Sequence, residues 1–184
     1  MSENFETQEG RAQRPTIIKV WDPLVRIFHW SLVVGMAYEM LAEAGTDTHE
    51  FVGYGLLGLI AFRIIWGFIG TKHARFSDFV TNPMDTVAYV KEIVFGHPKR
   101  YIGHNPAGAA MVLLLLLAVT SAAGTGWAMT TDALWGEVWI EKVHEIAAYS
   151  TIVLVAGHVI GVIVASIQHR ENLVRSMITG QKPV

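Results

Sequence analysis

Two long stretches of the chain, residues 107–129 and 146–168, carry no Asp, Glu, Lys or Arg. Each exceeds the ~20 residues that a helix needs to cross a bilayer. Two weaker apolar segments precede them. Residues 24–44 include Arg26, His29, Glu39 and Glu43, and residues 49–70 include Glu50 and Arg63. Alone, these two would also suit buried helices of a soluble bundle, but beside two strong spans they read as spans themselves. The pattern predicts an all-α fold: a four-helix transmembrane bundle, two helical hairpins with both termini on one side, with helices at about 24–44, 49–70, 107–129 and 144–168. In the long connection 71–106, Asn82-Pro83 is a helix-start signal. Met84, Val87, Val90, Ile93 and Val94 then recur at helical spacing. This predicts a helix at about 83–95, read either as an amphipathic helix on the membrane surface or as an ordinary loop helix.

Composition agrees. Of 184 residues, 52% are hydrophobic and 16% charged, against about 25% charged in a soluble domain. The net charge of −2 argues against a nucleic-acid binder. There is no cysteine, which rules out disulfides, iron–sulfur clusters and covalent C-x-x-C-H haem attachment.

The few charges orient the bundle. Arg11, Arg14, Lys19, Arg26, Lys72, Arg75, Lys91, Lys99, Arg100, Arg170, Arg175 and Lys182 fall on the side of the termini, and only Lys142 falls opposite. That asymmetry predicts cytoplasmic termini. The polar stretch 1–14 lacks the apolar run of a signal peptide, which agrees. Glu39, Glu43, Asp47, Glu50, Asp132, Glu137, Glu141 and Glu145 lie at or near the outer face. Trp21, Trp30, Trp66, Trp127, Trp135 and Trp139 fall near span boundaries, as an interfacial aromatic belt would.

Histidine inside a span suggests function. His144 and His158 are fourteen residues apart on one predicted helix, so they share a face about 21 Å apart in rise. His29 begins the first span on the inner side and His49 the second on the outer side. Depth therefore pairs His29 with His158 and His49 with His144. Two histidine pairs at two depths suit two bis-histidine haems in a helical bundle. A shared metal-transport site would gather its ligands at one depth. Gly53, Gly55, Gly58, Gly124, Gly126, Gly157 and Gly161 fit either a macrocycle lying against the backbone or close helix packing. Arg63, fourteen residues after His49, reaches the inner depth, where it pairs with haem propionates or snorkels to headgroups. His73, His97, His104 and His169 lie on the inner, water-facing side. His104, which opens the third span, is the one of these to watch.

The segment Val20-Trp-Asp-Pro-Leu-Val-Arg-Ile-Phe-His-Trp30, the Gly103-His-Asn-Pro opening of the third span and the His-x13-His spacing of the fourth resemble bacterial cytochrome b561 and the related cytochrome b subunits of nickel–iron hydrogenases. The resemblance covers residues 16–176. It implies one di-haem b-type cytochrome domain of the bacterial inner membrane, with His29, His49, His144 and His158 as non-covalent haem ligands. It also implies a quinone site, ubiquinone or menaquinone, at positions similar to Asn105, Gly161 and Gln168; Gln168 is equally a polar helix end. The function implied is electron transfer between the quinone pool and a periplasmic carrier such as a c-type cytochrome, which the acidic outer face would steer. Superoxide:quinone oxidoreduction is an alternative that the acidic face opposes. Another is a membrane-anchoring subunit of a hydrogenase or dehydrogenase complex. The glycine-rich faces are compatible with a homodimer.

Overall fold

Three helices begin on an Asp-Pro or Asn-Pro pair, and each start is set by the same chemistry. The Asp or Asn side chain accepts a backbone N–H that the first turn leaves unpaired, and proline fills the first helical position, where no N–H is needed. Helix α1 (Pro23–Leu41) is capped by Asp22, whose Oδ1 accepts Val25 N at 3.0 Å. Helix α4 (Pro83–Phe95) is capped by Asn82, and α5 (Pro106–Met129) by Asn105. The remaining helices are α2 (Asp47–Ile69), the single turn α3 (Phe76–Phe79), α6 (Val138–Gln168) and α7 (Leu173–Thr179). The computed structural model describes residues 16–183. The stretch 1–14, with its bases Arg11 and Arg14 and the expectation of a cytoplasmic N-terminus, lies outside the described residues.

Four helices, α1, α2, α5 and α6, are long and apolar enough to cross a membrane. They pack in sequence, α1 on α2, α2 on α5 and α5 on α6. Phe28, Ile60 and Val119 form the centre, flanked by Leu32, Met36, Leu59, Phe62 and Leu116. Outward-facing Leu, Ile, Val and Phe side chains cover the rest of these helices, as expected where lipid is the solvent. Helix α6 starts at Val138 rather than near 144. At about 1.5 Å per residue its 31 residues reach about 46 Å, past the ~30 Å hydrocarbon layer. Its first turns carry Glu141 and Lys142, so a reading by apolar run alone began too late.

Two short strands add to the helices. Strand β1 (Ile17–Lys19) pairs antiparallel with β2 (Gln181–Pro183), Ile18 opposite Lys182. The turn into β2 needs glycine. Gly180 has φ +80°, and a Cβ there would lie 2.6 Å from Trp21 O. Gly180 O accepts Val20 N at 2.8 Å and Trp21 N at 3.2 Å. Beside the sheet, the Glu171 carboxylate holds buried Lys182 at 3.2 Å and the Arg100 guanidinium, which also donates to Pro183 O. Burial pushes the Glu171 carboxyl up, but Arg100 and Lys182 outweigh it and hold it below its usual range. We call this the sheet end and the opposite one the far end.

Three tryptophans assigned to an aromatic belt turn inward at the sheet end. Trp21 is buried with Val20, Val25 and Ala74. Trp30 Nε1 donates to Met177 O at 3.4 Å, and Trp66 Nε1 to Asp22 Oδ2 at 3.3 Å. Trp127, Trp135 and Trp139 are exposed. Helix α4 buries Tyr89 and leaves Met84, Val87, Val90 and Val94 facing outward, the disposition of a helix lying against lipid.

Candidate functional site

His29 lies two turns into α1 and His158 two-thirds of the way along α6. Their ring centres are 6.4 Å apart. At the other depth, His49 in the first turn of α2 and His144 in the second turn of α6 have ring centres 6.2 Å apart. Among the described residues, α6 makes no extensive backbone contact with α1 or α2; the histidine pairs are what face across those gaps.

The far pair is held by hydrogen bonds from its surroundings. Thr46 caps α2 by accepting His49 N at 3.3 Å. His49 Nδ1 contacts the carboxylate of Glu39, on α1. His144 Nδ1 lies 2.9 Å from Ala122 O and 3.3 Å from Thr125 Oγ1. The carbonyl can only accept, so His144 carries its proton on Nδ1 and leaves Nε2 with its lone pair free. His29 Nδ1 and His49 Nδ1 are both buried without a geometrically formed hydrogen bond among the described residues, but only His49 Nδ1 has a carboxylate against it.

Arg63 is 3% exposed and buried beside α3, its guanidinium 5.1 Å from the centre of the Phe76 ring. Its Nη1 has no hydrogen-bond partner among the described residues. A buried charge without a partner is costly. Gly67, one turn on, explains how Phe76 gets so close: a Cβ there would sit 2.1 Å from the Phe76 ring. Asp22, which sequence reasoning passed over, fixes this corner. Besides capping α1, it accepts Thr71 Oγ1 at 2.6 Å and Trp66 Nε1, tying α1 to the end of α2. Burial pushes its carboxyl up, but these bonds outweigh it and hold it low. The Asp-Pro helix-start signal was in the sequence; its reach to residues 66 and 71 was not.

His104 is not solvated. Its ring lies 4.8 Å from that of Trp21 and 4.6 Å from that of Phe79. Burial first, then the Arg63 charge, push its pKa down to about 3, and its Nδ1 is without a partner among the described residues. His73 contacts Asp78 at 3.3 Å.

The other candidates have helix-end duties. Asn105 Oδ1 caps α5, accepting Gly108 N at 2.7 Å. Gln168 Nε2 donates to Ile93 O at 3.1 Å, joining α6 to α4. Gly161, one turn past His158, has open space where a Cβ would be, as do Gly53, Gly55, Gly58 and Gly124. Gly126 differs: a Cβ there would approach His144 Cε1 to 3.3 Å. The larger branched side chain of a Gly126→Val variant should therefore displace the imidazole. The expected result is haem content well below that of wild type, read from the haem-to-protein ratio.

Four spanning helices with two facing histidine pairs define a class, the four-helix membrane bundles with paired-histidine centres. The comparisons narrow it. A family model described as prokaryotic cytochrome b561 matches residues 20–180, and the chain belongs to that family. It is a multi-pass membrane cytochrome of the bacterial inner membrane that transfers electrons and carries b-type haem. Similar proteins are probable Ni/Fe-hydrogenase B-type cytochrome subunits. That of Rhodobacter capsulatus is 28% identical, with 92% of this chain and 83% of the relative covered. Those of Azotobacter vinelandii (24% identical, 98% and 95% covered) and Cupriavidus necator (26% identical, 96% and 92% covered) are similar along nearly their full length. No solved structure matches the chain.

The histidine geometry fits haem. Two metal–nitrogen bonds of about 2 Å, plus about 1 Å from each nitrogen to its ring centre, put two imidazoles that share one iron about 6 Å apart. Both pairs have that spacing. The unpartnered guanidinium nitrogen of Arg63 is a fitting donor for a propionate.

Proposed function

We propose that the chain is a single di-haem domain that carries electrons across the membrane between the quinone pool and a periplasmic redox protein, with its sheet end in the cytoplasm. The observation that supports it most is the presence of two imidazole pairs, each at haem-sharing distance, at two depths. When bound, haem supplies reversible one-electron chemistry. His29 and His158 hold the inner group and His49 and His144 the outer. Asp22 and Trp66 fix the start of α1 against α2, which sets where His29 stands. Arg63 anchors a propionate of the inner group. Asn105, Gly161 and Gln168 are the proposed quinone contacts at the same end.

The periplasmic partner would meet the far end, where Glu43, Asp47, Asp132 and Glu137 cluster in sequence around the inter-helix turns. Acidic charge there favours a partner with a basic docking face, such as a c-type cytochrome. The names of the similar proteins favour a second reading of the same chemistry, in which the partner is a hydrogenase-type complex and this chain its membrane cytochrome subunit.

Colour is the direct test. Detergent-purified protein is expected to hold two non-covalent haems per chain, with a b-type spectrum that dithionite reduces and air restores. A folded, colourless protein, or one haem per chain at saturation, would sink this reading.

A further inference from the structure

The two histidine pairs differ in what stands behind them. At the far end the Glu39 carboxylate lies against His49 Nδ1, across the ring from the nitrogen available to iron. Its side chain is 12% exposed, and its Oε1 is buried without a hydrogen-bond partner among the described residues. His144 Nδ1 faces a backbone carbonyl. At the sheet end, among the described residues, no carboxylate reaches His29 or His158. At that end Arg63 is buried with its Nη1 free of a hydrogen-bond partner among the described residues, whereas the buried carboxylates there are engaged elsewhere, Asp22 by Thr71 and Trp66 and Glu171 by Arg100 and Lys182.

Resting on the ligand assignment above, we propose that Glu39 is a positioning residue that sets the order of the two haem potentials, making the outer centre the lower. Two effects act in the same direction. A carboxylate lying against Nδ1 polarises the ring and makes its other nitrogen a stronger donor. Donation from the ligand favours oxidised iron, which carries one more positive charge than reduced iron, and so does a buried anion a few ångströms behind it. Arg63 works oppositely at the other end, where a cation favours the reduced form.

With that order, an electron shared between the two centres would rest on the inner one, at the end of the proposed quinone contacts.

The test is redox titration of the haem absorbance in full-length, haem-loaded wild type and Glu39→Gln, which keeps the shape of the side chain but loses its charge. Glu39→Gln is expected to keep both haems and to raise the lower midpoint by about tenfold in the reduction equilibrium, about 59 mV for one electron, leaving the upper one in place. Repeating the substitution on a His158→Ala chain, which holds only the outer haem, assigns the shift. Should Glu39→Gln lose the outer haem, Glu39→Asp, with its carboxylate drawn back by one methylene, is expected to raise the same midpoint by a smaller amount. Unchanged midpoints, or a shift in the upper centre alone, would overturn the proposal with the ligand assignment intact. A wild type with fewer than two haems would instead bring down the assignment, and this proposal with it.

Discussion

His49→Ala and His158→Ala should each leave a protein with one haem, and the two should differ in which one. The pairs lie at opposite ends of the bundle, with ring centres at 6.2 Å for His49–His144 and 6.4 Å for His29–His158. No cysteine is present to take the place of a lost imidazole. Neither histidine is part of the Phe28–Ile60–Val119 centre, so alanine removes a ligand without opening that centre. The haem-to-protein ratio should fall from two to one in each variant. The two residual centres should differ in midpoint, and the double variant should be colourless with its helical circular dichroism kept. Two variants that lose the same centre would refute the pairing. Full retention in either would refute that ligand.

The second large effect is expected at the sheet end. Glu171→Ala removes the carboxylate that holds both Lys182 and Arg100. Lys182 is 4% exposed, so the variant leaves a buried ammonium alone. Breaking a buried pair by removing one partner costs about 3–5 kcal/mol, and this pair clamps β2 to the end of α6. The melting temperature in detergent should fall accordingly. The pH dependence has a definite sign. Folding lowers the Glu171 pKa below its ordinary 4.5, so below that value the unfolded chain binds more protons than the folded one. The stabilisation is present above about 4.5 and fades as pH falls through the folded value. The gap between wild type and Glu171→Ala should therefore narrow in acid. A gap independent of pH would show that the carboxylate charge is not what clamps the strand.

The spans were readable because the bilayer imposes a local rule: about twenty apolar residues in a row. The histidine spacing was readable for the same reason, since rise and turn along one helix are fixed. Boundaries were readable where a cap stood next to proline, as at Asn82-Pro83, and not where a helix left the membrane still helical, as α6 does at Val138. Everything that closes the sheet end was hidden. Ile18 pairs with Lys182 across nearly the whole chain, and neither three-residue strand has a pattern long enough to announce itself. A tryptophan near a span boundary looks the same whether it meets headgroups, as exposed Trp139 does, or donates to Asp22, as Trp66 does. His104 sat among polar residues in sequence, but the aromatic rings that bury it come from residues 21 and 79. Its environment is a product of tertiary structure alone.

The clasp between β1 and β2 also sets an order of events during synthesis. All four spans are made before residues 181–183 exist. Until those residues fold back, β1 lacks its partner, Gly180 O has yet to accept Val20 and Trp21, and Lys182 has not reached Glu171. The start of α1, and with it the approach to His29, stays unlocked until then. The His49–His144 centre lies at the other end and needs nothing made after α6. Haem loaded before the two strands have met would thus enter the far centre first, and the centre beside the clasp only afterwards.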